Sequence, residues 1–212
     1  MEYETEEQQV EALKSWWREN GRSVLLGIGI GAAAIIGWQG WTKYQQSQAE
    51  SASDTYSESL NALATGDATA ATAAAATVRD EHGNSMYATL AALAAARAHV
   101  ENDDLDAAAT ELRWAVKNSP QAEVATVARI RLARVLAEAG KHEDALKQLP
   151  AKPPKDFAAL VDEARGDIYV ATGDLDAART AYRAAQQSGQ RSGNSSLLEM
   201  KLNDIAAPED AS

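Results

Sequence analysis

Thirty-one carboxylates and three histidines are the residues of this 212-residue chain best able to do chemistry, and their spacing argues against it. There is no cysteine, which removes thiolate metal sites, disulfides and cysteine nucleophiles. His82, His99 and His142 are scattered at expected turns and helix ends, where histidines are surface residues, and no Ser/His/Asp grouping assembles from the spacing. Asn102-Asp103-Asp104-Leu105-Asp106 has the acidic density of a calcium loop but lacks its central Gly and terminal Glu. Asp67, Asp103, Asp104 and Asp174 fall at predicted turns or helix starts, where a short carboxylate satisfies free backbone N–H groups. Gly27-Ile28-Gly29-Ile30-Gly31 looks like a phosphate loop, yet no strand precedes it and no polar helix follows. The expectation is no catalytic residue, no metal and no cofactor.

Binding is the chemistry that remains. Leu90, Leu93 and Arg97, then Val127, Ile130, Arg131 and Arg134, then Leu160, Glu163 and Asp167 interleave apolar and charged residues. Such a set holds an extended or helical peptide if one face presents it, with arginines pairing to carboxylates or carbonyls. The competing reading of each residue is ordinary: apolar ones belong to a core and arginines are solvated.

The elements that would position these residues are repeated helix pairs. Alanine supplies 46 residues, against 17 Val plus Ile and one Phe, which favours helices over a sandwich or barrel. Gly66, Asp103, Gly140 and Gly173 recur at spacings of 37, 37 and 33 residues, close to the 34-residue tetratricopeptide period. After each comes a helix with small residues at packing positions, such as Ala178 and Ala185 on either side of Tyr182 after Gly173. The fold class expected is all-α, a stack of about four tetratricopeptide-like pairs in which neighbours bury each other's apolar stripes. Ala151-Lys152-Pro153-Pro154 breaks the chain between units, residues 188–196 form a loop, and residues 197–205 form an amphipathic cap. The Ala/Thr run over residues 70–76 has little bulk, so the first unit is expected to pack loosely.

One segment does not belong to the stack. Residues 23–42 carry no charge, and as a helix at about 1.5 Å per residue they span roughly the 30 Å of a bilayer core. Trp16 and Trp17 precede the segment, and Trp38, Trp41 and Tyr44 close it, as interfacial aromatic belts do. Lys14, Arg18 and Arg22 lie before it and only Lys43 follows closely, which puts the N-terminus on the cytoplasmic side. A signal peptide has a shorter core, about 7–15 residues, and a small-residue site directly after it. Ala49 and Ser51 leave later cleavage open, but an uncleaved anchor fits better. Gly27 and Gly31 form a GxxxG pair continued by Ala33 and Gly37, a row suited to close helix packing or simply the glycine usage of membrane helices. The formal charge of −11 divides into −3 for residues 1–22, +1 at Lys43 and −9 beyond, so nucleic acid is not an expected partner.

Taken along its length, the chain resembles the YfgM family of ancillary SecYEG translocon subunits. The likeness lies in Gln9-Val10-Glu11-Ala12, Glu19-Asn20-Gly21, Gly37-Trp38, Arg131-Leu132-Ala133-Arg134-Val135, Arg165-Gly166-Asp167, Gly173-Asp174, Ala178-Arg179 and Glu199-Met200-Lys201-Leu202-Asn203-Asp204. These readings divide the chain into a cytoplasmic tail (1–22), a transmembrane helix (23–42), a linker or helix extension (43–55), a repeat domain (56–206) that the resemblance implies is periplasmic, and a disordered tail (207–212). The resemblance further implies a bacterial inner-membrane adaptor held at the SecYEG translocon, associated with the chaperone PpiD and passing secreted clients to periplasmic chaperones. A regulatory alternative has the tail, with Val10, Leu13 and Trp16 on one face, bind the response regulator RcsB. No catalytic residue comes with the family.

Overall fold

The protein is described from a computed structural model, covering residues 6–189 and 195–205. Its helices are α1 (Glu6–Ala64), α2 (Ala68–His82), α3 (Met86–Glu101), α4 (Leu105–Asn118), α5 (Ala122–Glu138), α6 (His142–Gln148), α7 (Ala158–Thr172), α8 (Leu175–Gly189) and α9 (Ser195–Asp204). A 3₁₀ turn, Lys155–Phe157, follows the Pro153-Pro154 break, and no strand occurs among the described residues. The chain divides into two units, Met1–Glu50 and Ser51–Ser212.

In the first unit α1 contains the uncharged stretch. Its side chains find no burial within the chain: Leu25, Ile30, Ile36 and Trp38 are 60–71% exposed. A helix is the form in which such a stretch can enter lipid, because every backbone N–H and C=O is satisfied internally. Thr42 donates its hydroxyl to the Gln39 carbonyl, removing one more unpaired polar group. Trp16 lies beside Trp17 before the stretch and Trp41 beside Tyr44 after it.

The second unit repeats one local device four times. Gly66, Asp103, Gly140 and Gly173 adopt left-handed backbone, with φ of 77°, 62°, 74° and 79°. Each donates its N–H to the carbonyl three residues back, and the next residue donates to the carbonyl five back, as in Gly173 to Val170 and Asp174 to Tyr169. These are Schellman closures, which satisfy carbonyls that the ending helix leaves free. The following helix then starts at once. Asp67, Asp104 and Asp174 accept from the N–H groups of Ala70, Ala107 and Ala177, so the expected capping roles hold at all three. In the third pair Lys141 stands there and makes no side-chain cap.

Asp103 alone meets the left-handed requirement with a side chain. Asp103→Gly is therefore expected to stabilise the protein by about 0.5–1 kcal/mol, since only glycine adopts this backbone without steric cost. Thermal unfolding checks it: Tm should rise by a few degrees, and a fall would show that the aspartate makes a favourable contact.

From α2 onward successive helices pack on one another, and first helices of neighbouring pairs also meet, α3 on α5 and α5 on α7. The main core gathers Leu112, Leu132, Leu136, Val161 and Ile168, each at most 2% exposed, among many alanines. The first pair is tighter than its composition predicts. Ala71, Ala75 and Val78 are fully buried, and Ser59 donates to the Ala71 carbonyl across the pair. Alanine lets the backbones of α2 and α3 approach, while Tyr56, Tyr87 and Trp114 supply the missing volume. Trp114, the one tryptophan away from the uncharged stretch, also lies under the Arg79 guanidinium, 5.5 Å from its ring centre, while Arg79 pairs with Glu111. At the far end α8 continues to Gly189 rather than yielding to a loop at 188, and Gly189 is buried beside Ala159. Ser195 and Ser196, expected in the same loop, instead open α9, while residues 190–194 and 206–212 lie outside the described residues.

Candidate functional site

Counting back from each left-handed turn gives the equivalent positions of the first helices. Ten residues before it stand Tyr56, Leu93, Ile130 and Glu163. The last three are buried, at 8%, 5% and 6% exposure, so this row belongs to the interior. Six residues before the turn stand Leu60, Arg97, Arg134 and Asp167; thirteen before it, Leu90, Val127 and Leu160 follow Ser53. The row nearest the turns therefore changes sign, from arginine in the second and third pairs to aspartate in the fourth.

Between α3 and α5 this arrangement leaves a cleft of about 310 Å³. Leu93, Ala96 and Val100 form one wall, Leu112 of α4 lies at the base, and Val135 faces them from α5. Arg97, Arg131, Arg134 and Glu138 complete the lining. Ala96 contributes only a methyl group to the α3 wall. Arg97 is well exposed and donates its Nε to Glu101 at 2.7 Å, one turn along. Of the sequence-derived set, Leu93, Arg97, Arg131 and Arg134 thus come together; Ile130 is core, and Leu90 and Val127 are half-buried.

The fourth pair is different. Glu163 and Asp167 face α9, and Lys201 donates to both at 2.7 Å. Tyr182 of α8 also donates to Asp167, at 2.7 Å, and the Lys201 ammonium sits 5.6 Å from the Tyr182 ring centre. Burial together with the bond to Asp167 pushes the Tyr182 hydroxyl far up, because a phenolate would be both desolvated and set against a carboxylate. Burial works to lower the Lys201 value, but the two carboxylates outweigh it and the ammonium is held above its ordinary value. Leu198, Leu202 and Ile205 pack on Ala178, Tyr182 and Ala185, and Arg179 donates to the Ile205 carbonyl. Here α9 covers the equivalent of the cleft, so Glu163 and Asp167 are structural partners; Leu160, 38% exposed, stays outside that network. The sequence did not single out Lys201 for this role, although its place on an amphipathic cap was a signal.

The Arg165-Gly166-Asp167 run gains three distinct roles. Arg165 pairs with Asp162 and donates to the Pro150 carbonyl, tying α7 to the chain break. Gly166 lies against the Tyr182 ring with no room for a Cβ. Asp167 carries the link to α9.

The histidines correct one expectation. His82 does stand at the end of α2, but its side chain is only 8% exposed, 3.9 Å from Glu81, and its Nε2 has no hydrogen-bond partner among the described residues. The helix turns its ring inward there, which position along the chain did not reveal. Among the described residues no three His, Cys, Asp or Glu side chains gather as a metal-binding group. The small residues Gly27, Gly31 and Gly37 meet nothing within the chain where a Cβ would stand, and Ala33 shares that exposed stretch of α1.

Comparison with known proteins agrees with this architecture. Residues 14–207 match the model of a family described as a tetratricopeptide repeat-like domain. The chain is 31% identical to the ancillary SecYEG translocon subunit of Escherichia coli (strain K12) over 204 residues, 96% of this chain and 98% of that one. It is 31% identical to the subunit of the same name from Haemophilus influenzae over 94% and 97% of the two chains. For the Neisseria gonorrhoeae counterpart the identity is 26%, over 94% of this chain and 97% of that one.

Proposed function

Because the chain belongs to the family of ancillary SecYEG translocon subunits with a tetratricopeptide repeat-like domain, we propose that it is a non-enzymatic, membrane-anchored adaptor of the Sec translocon. On this reading residues 23–42 cross the bacterial inner membrane, residues 1–22 are cytoplasmic and the repeats are periplasmic. Lys14, Arg18 and Arg22 before the span support that orientation. Gly27, Gly31, Ala33 and Gly37 would then face another helix in the bilayer.

The observation that carries the reading is the cleft between α3 and α5, apolar at its base and rimmed by arginines. A stretch of polypeptide fits such a surface better than a reacting small molecule does, since no nucleophile or acid–base pair lines it. The partner is a periplasmic chaperone of the PpiD kind or an emerging secreted chain, handed on from the translocon.

Photo-crosslinking tests this in membranes. A crosslinking residue at Arg97 or Arg134 should capture a protein partner, whereas one at Thr110 or Arg183, exposed on the second helices, should not. Capture only from the second helices would overturn the cleft assignment. A second reading rests on Val10, Leu13 and Trp16, which are 49–66% exposed on α1 and would suit a cytoplasmic partner such as RcsB. Removing residues 1–12 separates the two, because the adaptor reading requires that translocon association survive.

A further inference from the structure

We propose that the α3/α5 cleft selects peptides in which a carboxylate stands next to an apolar side chain; the inference rests on the adaptor reading and names the ligand class of that site. Arg131 and Arg134 lie three residues apart on α5, so their guanidinium groups share one side of the helix. Both are exposed, both line the cleft, and neither has a hydrogen bond or ion pair among the described residues. Like charges at this spacing are mildly unfavourable on their own, and an anion between them relieves the repulsion.

The remaining charges at the site do not remove this bias. Arg97 faces them from α3 and keeps one carboxylate, Glu101, at its Nε. Glu138 lines the cleft one turn beyond Arg134 and forms no ion pair with it. Three cations against two carboxylates leave the cleft positive, within a stretch whose total charge from residue 44 onward is −9. A positive site in an acidic domain acts only at short range, because the surrounding charge repels an acidic partner until it is close.

The apolar half fixes the rest of the ligand. Leu93, Ala96, Val100, Leu112 and Val135 offer room for a side chain that gains by leaving water. An apolar side chain seated there puts the neighbouring peptide residues at the rim, where the guanidinium forks of Arg131 and Arg134 present paired donors. A lysine or arginine at the same place would meet three guanidinium groups. Selection therefore comes from attraction to carboxylates and from rejection of cations together.

The test uses the full-length chain in nanodiscs of zwitterionic lipid and three fluorescein-labelled peptides. The peptides share a leucine-containing sequence and differ only in carrying Glu, Gln or Lys beside each leucine. Fluorescence anisotropy should give the Glu peptide a Kd about tenfold below that of the Gln peptide, the scale of a few charge-assisted contacts at a partly exposed site. The Lys peptide should bind weakest. Arg131→Gln combined with Arg134→Gln should bring the Glu-to-Gln ratio to about one, and both positions are exposed, so the helix is retained. Equal binding of the Glu and Gln peptides, or tightest binding of the Lys peptide, would overturn the proposal while leaving the adaptor reading in place. Failure of all three peptides while Arg97 and Arg134 still crosslink a partner would also overturn it. Failure of both the peptides and the crosslinks would remove the adaptor's cleft as well.

Discussion

Gly166→Ala should be among the most damaging single substitutions in the repeat domain, lowering stability by about 2–3 kcal/mol and Tm by several degrees. A Cβ at this position would stand within 3.0 Å of three atoms of the Tyr182 ring. Tyr182 is 3% exposed and its hydroxyl is bound to Asp167, so the ring has nowhere to retreat without breaking that bond. The helix propensity gained by alanine over glycine, about 1 kcal/mol, is smaller than the cost of forcing α7 and α8 apart. The measurement is thermal unfolding of Gly166→Ala alone and with Tyr182→Leu. Removing the ring opens the space, so the double variant should lose less than the sum of the two single changes. Strict additivity would show that the ring is not what the alanine meets.

Lys201→Met is the second large effect. It leaves Glu163, only 6% exposed, without its cation, and leaves Asp167 with Tyr182 alone. Removing one member of a fully buried pair costs about 3–5 kcal/mol, and the partial exposure of Lys201 and Asp167 reduces this to about 2–3 kcal/mol. The loss should appear first as faster hydrogen exchange in α9, which Lys201 and Arg179 hold to the fourth pair. Glu163→Leu in the same chain should restore most of the protection, because leucine and isoleucine occupy the equivalent positions, Leu93 and Ile130. If Lys201→Met left α9 as protected as before, apolar packing alone would be holding the cap. The same network gives a pH dependence. Lys201 and Tyr182 both bind their protons more tightly in the folded protein. Their contribution is therefore complete below the ordinary values near 10 and is lost as pH rises above them.

Much of this architecture was legible in the residues. The uncharged stretch before Lys43 and its aromatic borders are composition, and composition needs no partner to be read. The four turns were equally accessible. A left-handed residue followed by a capping aspartate is a requirement within six residues of chain, and Gly66-Asp67, Asp103-Asp104 and Gly173-Asp174 answer it with residue types few other positions would favour.

The site was legible only in part. Helical spacing and the turn register were enough to group Arg97, Arg131 and Arg134, which line one cleft. The same spacing put Glu163 and Asp167 in that set too, and nothing local distinguishes a carboxylate awaiting a ligand from one already held. That distinction depends on Lys201, 34 residues beyond Asp167 and on another helix. The sequence alone thus determined a long uncharged N-terminal helix, four helix pairs and a capping helix, because caps, turns and hydropathy act over a few residues. Only the tertiary structure decided that the cleft between α3 and α5 is open while its counterpart on α7 is filled. Charges and rings separated along the chain find or miss one another through packing, and packing has no local signature.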